Sequence, residues 1–406
     1  MPVANIFCGS YCKAEQIAAE ASRKLGYRLV DDTILIAETA KRFSVDETKL
    51  LRSLTGKTSI FNKFTHEKER SLACMKIVLA DFLKADDFLM IGYTGLMIPR
   101  EISHVLKVCV IADMKYRIGV ASGEIAEKEA IKRIRREDEN RALWVDYLFR
   151  KKDPWDPSLY DIVIPSHKTT ENEAAELICD HMYSHVLKVT GRSRKAVEDF
   201  SLAAQVNLRL AEEGHDIAVS ATDGDVLLEI NKHVMRLSAL EVELTALAKA
   251  IPGVRSVKTR VGAGFYQSDV YRKFEFDLPS KVLLVDDERE YVQTLSERLQ
   301  MRDLGSAVVY GGEEALSLVA EEEPEVMVLD LKMPGIDGLE VLRRVKEMHP
   351  EVEVIVLTGH GSREVEKLCL EMGACAYLEK PVDIDKLTST MREAYDRIRK
   401  RRGQQS

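Results

Sequence analysis

VMVLDLKMPGIDG, residues 326–338, decides how the C-terminal part of this chain folds. Val326 to Leu329 read as a buried strand, Asp330 stands at its carboxyl end, and Pro334-Gly335 marks a turn. In open parallel α/β sheets, ligands bind in the crevice outside the carboxyl ends of the strands, so a carboxylate there is a candidate reactive group. Three other runs end in residues that carry chemistry. Lys281 to Val285 is followed by Asp286 and Asp287, Val354 to Leu357 by Thr358, and Ala376 to Leu378 comes just before Lys380-Pro381. Taken singly, an acidic pair caps a helix, an aspartate opens a turn and Lys-Pro sits in a loop. Taken in order, each closing an expected strand, they assemble three carboxylates, a hydroxyl and an ammonium along one sheet edge.

Carboxylates gathered within a few ångströms repel one another and have raised pKa values unless a cation sits among them. An oxygen-only donor set favours a hard ion such as Mg²⁺, which keeps waters and coordinates phosphate oxygens. That geometry suits phosphoryl transfer onto a carboxylate, with Asp330 as the nucleophile. Lys380 then neutralises one phosphoryl oxygen, the Thr358 hydroxyl donates to another, and the metal's charge permits attack by an anionic Asp330.

The segment Ser280 to Arg399 resembles the receiver domain of two-component response regulators. The resemblance rests on VDDE (Val285 to Glu288), LDLKMPGIDG (Leu329 to Gly338), LTGH (Leu357 to His360) and GACAYLEKP (Gly373 to Pro381). It implies a flavodoxin-like doubly wound (βα)5 fold over residues 280–400, with Asp330 as phospho-acceptor. It also implies Asp286 and Asp287 as the metal-binding acidic pair, the Lys332 backbone carbonyl as a further Mg²⁺ ligand, and Thr358 with Tyr377 as a switch pair. The partner implied is a cognate sensor histidine kinase or phosphotransfer protein, and pairing of two receivers in a homodimer is open.

The whole chain has 406 residues, room for about two to four domains, and 45% apolar residues, ordinary for packed cores. A formal net charge of −8 argues against general nucleic-acid binding, and no DNA partner is expected. Seven cysteines without a CxxC pair read as reduced, buried thiols of a cytosolic protein. The first residues, MPVANIFCGS, lack a basic region followed by a long apolar run, and no stretch approaches a bilayer-spanning length. A cytoplasmic location without a membrane partner is the expectation.

Asn5 to Ile17, NIFCGSYCKAEQI, reads as a strand, a Gly-Ser turn and an amphipathic helix, the layout of a phosphate-binding loop. The GxxxxGK[ST] spacing is absent. Gly9 is the lone glycine, and Tyr11 and Cys12 stand where backbone amides would curl around phosphate. Gly56-Lys57-Thr58 occurs later with no apolar strand leading into it and reads as chance.

Further on, LGYRLVDDTIL (Leu25 to Leu35), DDFLMIGYTG (Asp86 to Gly95), VLKVCVIAD (Val105 to Asp113), IKRIRREDENR (Ile131 to Arg141) and DPWDPSLYDIVIP (Asp153 to Pro165) alternate strands with helices, an α/β layout with a parallel sheet. Over residues 1–188 these landmarks resemble a divergent cytidylate-kinase-like P-loop nucleoside monophosphate kinase. That resemblance makes Gly9, Lys13, Arg136 and Arg141 the nucleotide-binding candidates. The family's Gly-Arg-x-Gly element reads Gly92-Tyr93-Thr94-Gly95 here, without the arginine. Phosphoryl transfer depends on positioning and charge neutralisation, so losing both elements predicts a binding module without turnover. A receiver-regulated nucleotide kinase stays open as an alternative, as does a solvated face for Lys132, Arg133, Arg135 and Arg136.

Residues 196–265 read as α-β-β-α-β: a helix from Val197 to Gly214 preceded by a basic helical connector, a hairpin split at Asp223-Gly224, a helix from Ala239 to Ala250 and a strand from Ser256 to Gly262. With its GVRSVKTRV ending, this run resembles the BON domain, whose members include membrane- and ligand-associated modules. A small packing and dimerisation module and a scaffold that recruits membrane or protein are its two readings. Gly262 to Pro279 reads as a linker, and Arg397 to Ser406 as a fraying tail. His66-Glu67 lacks the rest of a phospho-accepting histidine box, so the receiver must take its phosphate from another protein.

Overall fold

The computed structural model describes the chain except residues 56–59, 86, 232–236, 263–278, 303, 360–361 and 404–406, with backbone alone at 63, 64, 402 and 403. The Gly56-Lys57-Thr58 triplet, most of the Gly262 to Pro279 linker, His360 and the last tail residues therefore lie outside the described residues. The chain divides into two compact units, one of residues 1–58, 67–212 and 216–271, the other of residues 59–66, 213–215 and 272–406.

In chain order, the elements up to residue 190 are β1 (Val3–Cys8), α1 (Ala14–Leu25), β2 (Arg28–Asp31), α2 (Asp32–Phe43), α3 (Glu47–Leu54), α4 (Asn62–Thr65, part of the second unit), α5 (Glu67–Ala85), β3 (Phe88–Ile91), β4 (Val105–Ile111), α6 (Met114–Ala121), α7 (Glu127–Phe149), β5 (Ile162–Pro165) and α8 (Glu171–Met182). The five strands form one parallel sheet in the order β2-β3-β1-β4-β5. Its central strand is apolar on both sides, as a sheet covered on two faces requires: Val3 and Phe7 join one core, Ala4 and Ile6 the other. The order reverses about β1, so the crevice at a switch point opens where Cys8 runs into Gly9.

The first unit continues through α9 (Gly191–Glu212), β6 (Ala218–Thr222), β7 (Asp225–Ile230), α10 (Leu237–Lys249) and β8 (Ser256–Val261). β6 pairs antiparallel with β7, and β7 parallel with β8. Asp223 and Gly224 both take positive φ (52° and 80°), the geometry of a two-residue hairpin turn matched to strand twist. Val226, Leu228 and Ile230 alternate onto a core shared with Leu202, Val206 and Leu210 of α9 and Leu240 and Leu244 of α10. The α9 helix begins ahead of the expected Val197 and takes in part of the basic connector, its first turn held by Thr190 Oγ1 accepting from the Ser193 N–H at 3.0 Å. Val197 packs into a core of the five-stranded sheet while Leu202, Val206 and Leu210 pack into the small sheet's core, so α9 serves both sheets within the first unit.

The second unit holds β9 (Val282–Val285), α11 (Arg289–Gln300), β10 (Ser306–Val309), α12 (Gly312–Glu321), β11 (Val326–Leu329), α13 (Gly338–Met348), β12 (Glu353–Thr358), α14 (Arg363–Glu371), β13 (Ala376–Glu379) and α15 (Ile384–Gly403). All its strands are parallel in the order β10-β9-β11-β12-β13, the flavodoxin-like arrangement. Residues of β9, β11 and β12 alternate between two cores, one on each face. Phe61, far upstream in sequence, is fully buried in one of them, and the neighbouring Ile60 N–H donates to the Glu322 carboxylate at 3.2 Å.

Candidate functional site

Asp286 follows β9 and Asp330 follows β11, so both acids stand at the switch point of the second sheet, where helices leave toward opposite faces. One oxygen each of Asp286, Asp287 and Asp330 lies within 4.8 Å of the others. Lys380, one residue past β13, sends its Nζ among them, 2.7 Å from Asp286, 2.9 Å from Asp330 and 3.0 Å from Glu288. The ammonium lies over the Tyr291 ring, 4.8 Å from its centroid.

Burial pushes the Asp286 carboxyl pKa up, against the pull of Lys380 and the Glu288 N–H. The same burial works against the Lys380 ammonium, but hydrogen bonds to Asp286, Asp330 and Glu288 outweigh it and hold the lysine charged. The second Asp330 oxygen, Oδ1, accepts from the Leu331 N–H at 2.7 Å, while the Lys332 N–H stands 3.4 Å from it. The loop after Asp330 is tied back where the Gly338 N–H donates to the Leu331 carbonyl at 2.9 Å. A Cβ on Gly338 would stand 2.1 Å from the Asp330 carbonyl oxygen, so only glycine fits there.

Thr358 is the last residue of β12, fully buried, and its carbonyl accepts from the Lys380 N–H at 3.0 Å. Tyr377 pairs with Val356 across β12 and β13, which puts its side chain on the same sheet face as Thr358. The Tyr377 hydroxyl is buried without a hydrogen-bond partner, and burial raises its pKa. Asp286, Asp287, Asp330 and Lys380 thus gather at one edge, with Lys332 in the adjoining loop, Thr358 at the end of β12 and Tyr377 within β13 on the Thr358 face. Glu288 and Tyr291 join them although sequence reasoning gave them no role; the one signal was that Glu288 closes the VDDE run.

In the first unit the expected nucleotide candidates do not converge as a cradle. Tyr11 and Lys13 take positive φ (59° and 55°) in the turn after β1. Lys13 Nζ pairs with Glu171 on α8 at 2.6 Å. Arg136 is exposed, as are Lys132, Arg133 and Arg135, whereas Arg141 on the same helix is buried and donates from Nε to the Cys8 carbonyl at 2.7 Å. Of the residues that do meet the turn, Asp138 stands in a segment on which the family resemblance rests, whereas Ser10, Arg117 and Glu137 were given no role by the sequence. Ser10 Oγ donates to Glu137, the Ser10 carbonyl accepts from Arg117 Nε at 2.8 Å, and Arg117 forks onto Asp138 at 2.7 and 2.8 Å. The Asp32 carboxylate takes up the N–H groups of Tyr93 and Thr94, at 2.7 and 3.0 Å, in the Gly92 to Gly95 element.

Among the described residues no helix is long and apolar enough to cross a membrane.

Residues 282–392 match the response regulator receiver domain, and residues 3–168 the cytidylate kinase-like family; residues 191–261 lie outside both. Sporulation initiation phosphotransferase F of Bacillus subtilis is 32% identical over 113 residues, 28% of this chain and 91% of that protein. The uncharacterized transcriptional regulatory protein YesN of Bacillus subtilis is 34% identical over 116 residues, 28% of this chain, which spans only 32% of that protein's length. A solved response regulator receiver domain protein from Clostridium thermocellum shares 32% identity, covering 29% of this chain and 94% of that one, with a TM-score of 0.28. Residues 3–168 make a cytidylate-kinase-like domain, and through residues 282–392 the chain belongs to the response regulator receiver domain family.

Proposed function

We propose that this protein is a phosphorelay signal transducer whose Asp330 accepts a phosphoryl group from the phosphohistidine of a partner, a sensor histidine kinase or phosphotransfer protein. The observation that carries this reading is the convergence of Asp286, Asp287 and Asp330 within 4.8 Å, with the Lys380 ammonium 2.9 Å from Asp330. The partner's phosphorus–nitrogen bond breaks as the phosphorus–oxygen bond to Asp330 forms, and the imidazole keeps the electron pair.

An all-oxygen set fits a hard divalent cation, so Asp286, Asp287, Asp330 and the Lys332 carbonyl would hold Mg²⁺, whose charge offsets that of the phosphoryl oxygens. Lys380 neutralises a further oxygen, the Thr358 hydroxyl donates to another, and Tyr377 turns inward behind it. The new charge shifts a two-state equilibrium at the surface around Tyr377. Gly359 leaves the aspartyl phosphate open to water, so the mark decays by hydrolysis.

The kinase-like domain and the BON-like α-β-β-α-β segment form the output, a binding and packing module that does not turn over nucleotide. Two observations support this: Lys13 is committed to Glu171, and carboxylates of the chain itself meet the turn after β1. The test is acetyl phosphate with Mg²⁺ on the full chain, read by intact mass. The wild type gains one phosphoryl group and Asp330→Asn none; a label on the variant equal to wild type sinks the reading. ATP-dependent phosphorylation of CMP, lost in Lys13→Met, would instead make the first unit an enzyme.

A further inference from the structure

We infer that Glu137 is a built-in anion that occupies the oxyanion position of the first unit, and that the turn after β1 is closed by the chain's own carboxylate. The inference rests on the reading of this domain as a module without turnover and supplies its physical cause. A strand, a small turn and a helix N-terminus make an anion site because turn amides and helix dipole favour negative charge. Here three guanidinium groups surround that turn. Arg117 holds the Ser10 carbonyl at 2.8 Å, Arg141 holds the Cys8 carbonyl at 2.7 Å, and Arg133 lies over the Tyr11 ring, 5.8 Å from its centroid.

Two carboxylates answer them. Asp138 is forked by Arg117, and its Oδ1 also stands 3.9 Å from Arg141 Nη1. Glu137 takes what an external oxyanion would take: the Ser10 hydroxyl, Arg133 Nε at 3.0 Å, and the near face of Arg141, whose Nη1 stands 3.8 Å away. The Arg141 side chain is nine-tenths buried and its Nη1, 3.8 Å from Glu137 and 3.9 Å from Asp138, has no hydrogen-bond partner, the second sign that this site is built for an anion that the chain's own carboxylates only partly satisfy. Burial opposes the Glu137 charge, but Ser10, Arg133 and Arg141 overcome it and keep its carboxyl pKa below the usual range.

The residues that would bind a polyphosphate chain are therefore present but spent. An added anion must displace a tethered carboxylate, an intramolecular competitor that is always present at the turn. Glu137→Gln keeps the side chain's length and its acceptor for Ser10, removes the charge, and leaves Arg133 without its carboxylate and Arg141 with Asp138 alone, 3.9 Å from its Nη1.

Titration of the full chain with inorganic tripolyphosphate, followed by calorimetry and by the thermal midpoint of the first unit, tests this. Wild type shows no binding at millimolar ligand. Glu137→Gln binds at least 10-fold more tightly, with a midpoint that rises with ligand, and Glu137→Gln/Arg141→Met loses that gain. A folded Glu137→Gln that binds no better than wild type overturns the inference. So does wild-type binding that Arg141→Met abolishes, a result that needs no Glu137 variant to fold. Either outcome leaves CMP turnover and Asp330 labelling to be judged separately, so failure here is distinct from failure of the functional reading.

Discussion

The Nζ of Lys380 stands 2.9 Å from Oδ2 of Asp330, and both residues enter the site from the carboxyl ends of parallel strands. The same ammonium reaches Asp286 at 2.7 Å, so one positive charge spans the proposed acceptor and a metal-ligand candidate. In the proposed phosphotransfer it would both help transfer and compete with a cation for the carboxylates.

Lys380→Met separates these effects. Without the ammonium, Mg²⁺ affinity rises, because a competing charge between Asp286 and Asp330 is gone. Labelling by acetyl phosphate falls about 100-fold, the usual loss when one charge-stabilising donor is removed. A Mg²⁺ titration by thermal shift and a labelling time course on the same variant check both directions. If affinity and labelling fall together, Lys380 is instead part of what holds the carboxylates in place.

Gly338→Ala tests the backbone support of the acceptor. Its Cβ would meet the Asp330 carbonyl at 2.1 Å and the Leu331 Cα at 2.6 Å, and neither backbone atom can yield without shifting the loop. The receiver's unfolding midpoint should drop by an amount equivalent to about 1–3 kcal/mol, the usual range for overpacking, and Asp330 labelling should slow with it. Calorimetry of the full chain with an unshifted transition for the first unit is the expected pattern.

Arg117→Met removes one partner of a bidentate pair whose arginine is almost wholly buried. The orphaned Asp138 and the freed Ser10 carbonyl should cost the first unit about 3 kcal/mol, whereas Arg117→Met/Asp138→Leu should recover most of it. Urea unfolding of the three proteins decides the matter; equal losses in single and double variants would mean the pair contributes through packing alone.

Lys107 gives a pH dependence. It is buried in β4, its Nζ donating to the Ile98 carbonyl at 2.7 Å, and desolvation, ahead of Arg100, lowers its pKa from 10.5 to about 8. Because the folded pKa lies below the unfolded one, the unfolded chain binds more protons between about pH 8 and 10.5, and this group's contribution to stability rises with pH across that window. Below pH 8 the buried charge costs on the order of 3 kcal/mol, from about 1.36 kcal/mol per pKa unit. Lys107→Met should therefore stabilise the protein at pH 7 by about 2 kcal/mol, after about 1 kcal/mol for the lost hydrogen bond. That advantage should shrink as pH approaches 10 in denaturant melts; a gap independent of pH would show that the lysine is not titrating.

Thiol reactivity follows from burial. Desolvation pushes the Cys8 and Cys375 pKa up to about 12 and that of Cys74 to about 11, and all seven cysteines are free. Since the thiolate is the nucleophile, native protein at pH 8 should react slowly with a disulfide reagent at these positions, and fully after unfolding. Fast native labelling of Cys8, followed by peptide mapping, would contradict this.

The clustering of Asp286, Asp287, Asp330 and Lys380 was legible because each sits within two residues of the end of a short apolar run, and parallel pairing aligns the ends of such runs automatically. Val326 to Leu329 and Val282 to Val285 pair in register, so Asp330 and Asp286 emerge side by side. The hairpin at Asp223-Gly224 was legible for a local reason too, since both residues tolerate positive φ. The start of α9 was harder to read, because its cap is a Thr190–Ser193 exchange inside a basic stretch without apolar periodicity.

By itself, then, the order of residue types determined the two parallel sheets, the three-stranded appendage and the acidic edge around Asp330, because strand period, turn chemistry and helix stops are set by neighbours in the chain. Only the tertiary structure decided which charges neutralise which. Ser10 meets Glu137, Lys13 meets Glu171, and Phe61 completes a core formed by residues far downstream, since these partners are fixed by where loops and helices come to rest in space rather than by any spacing along the chain.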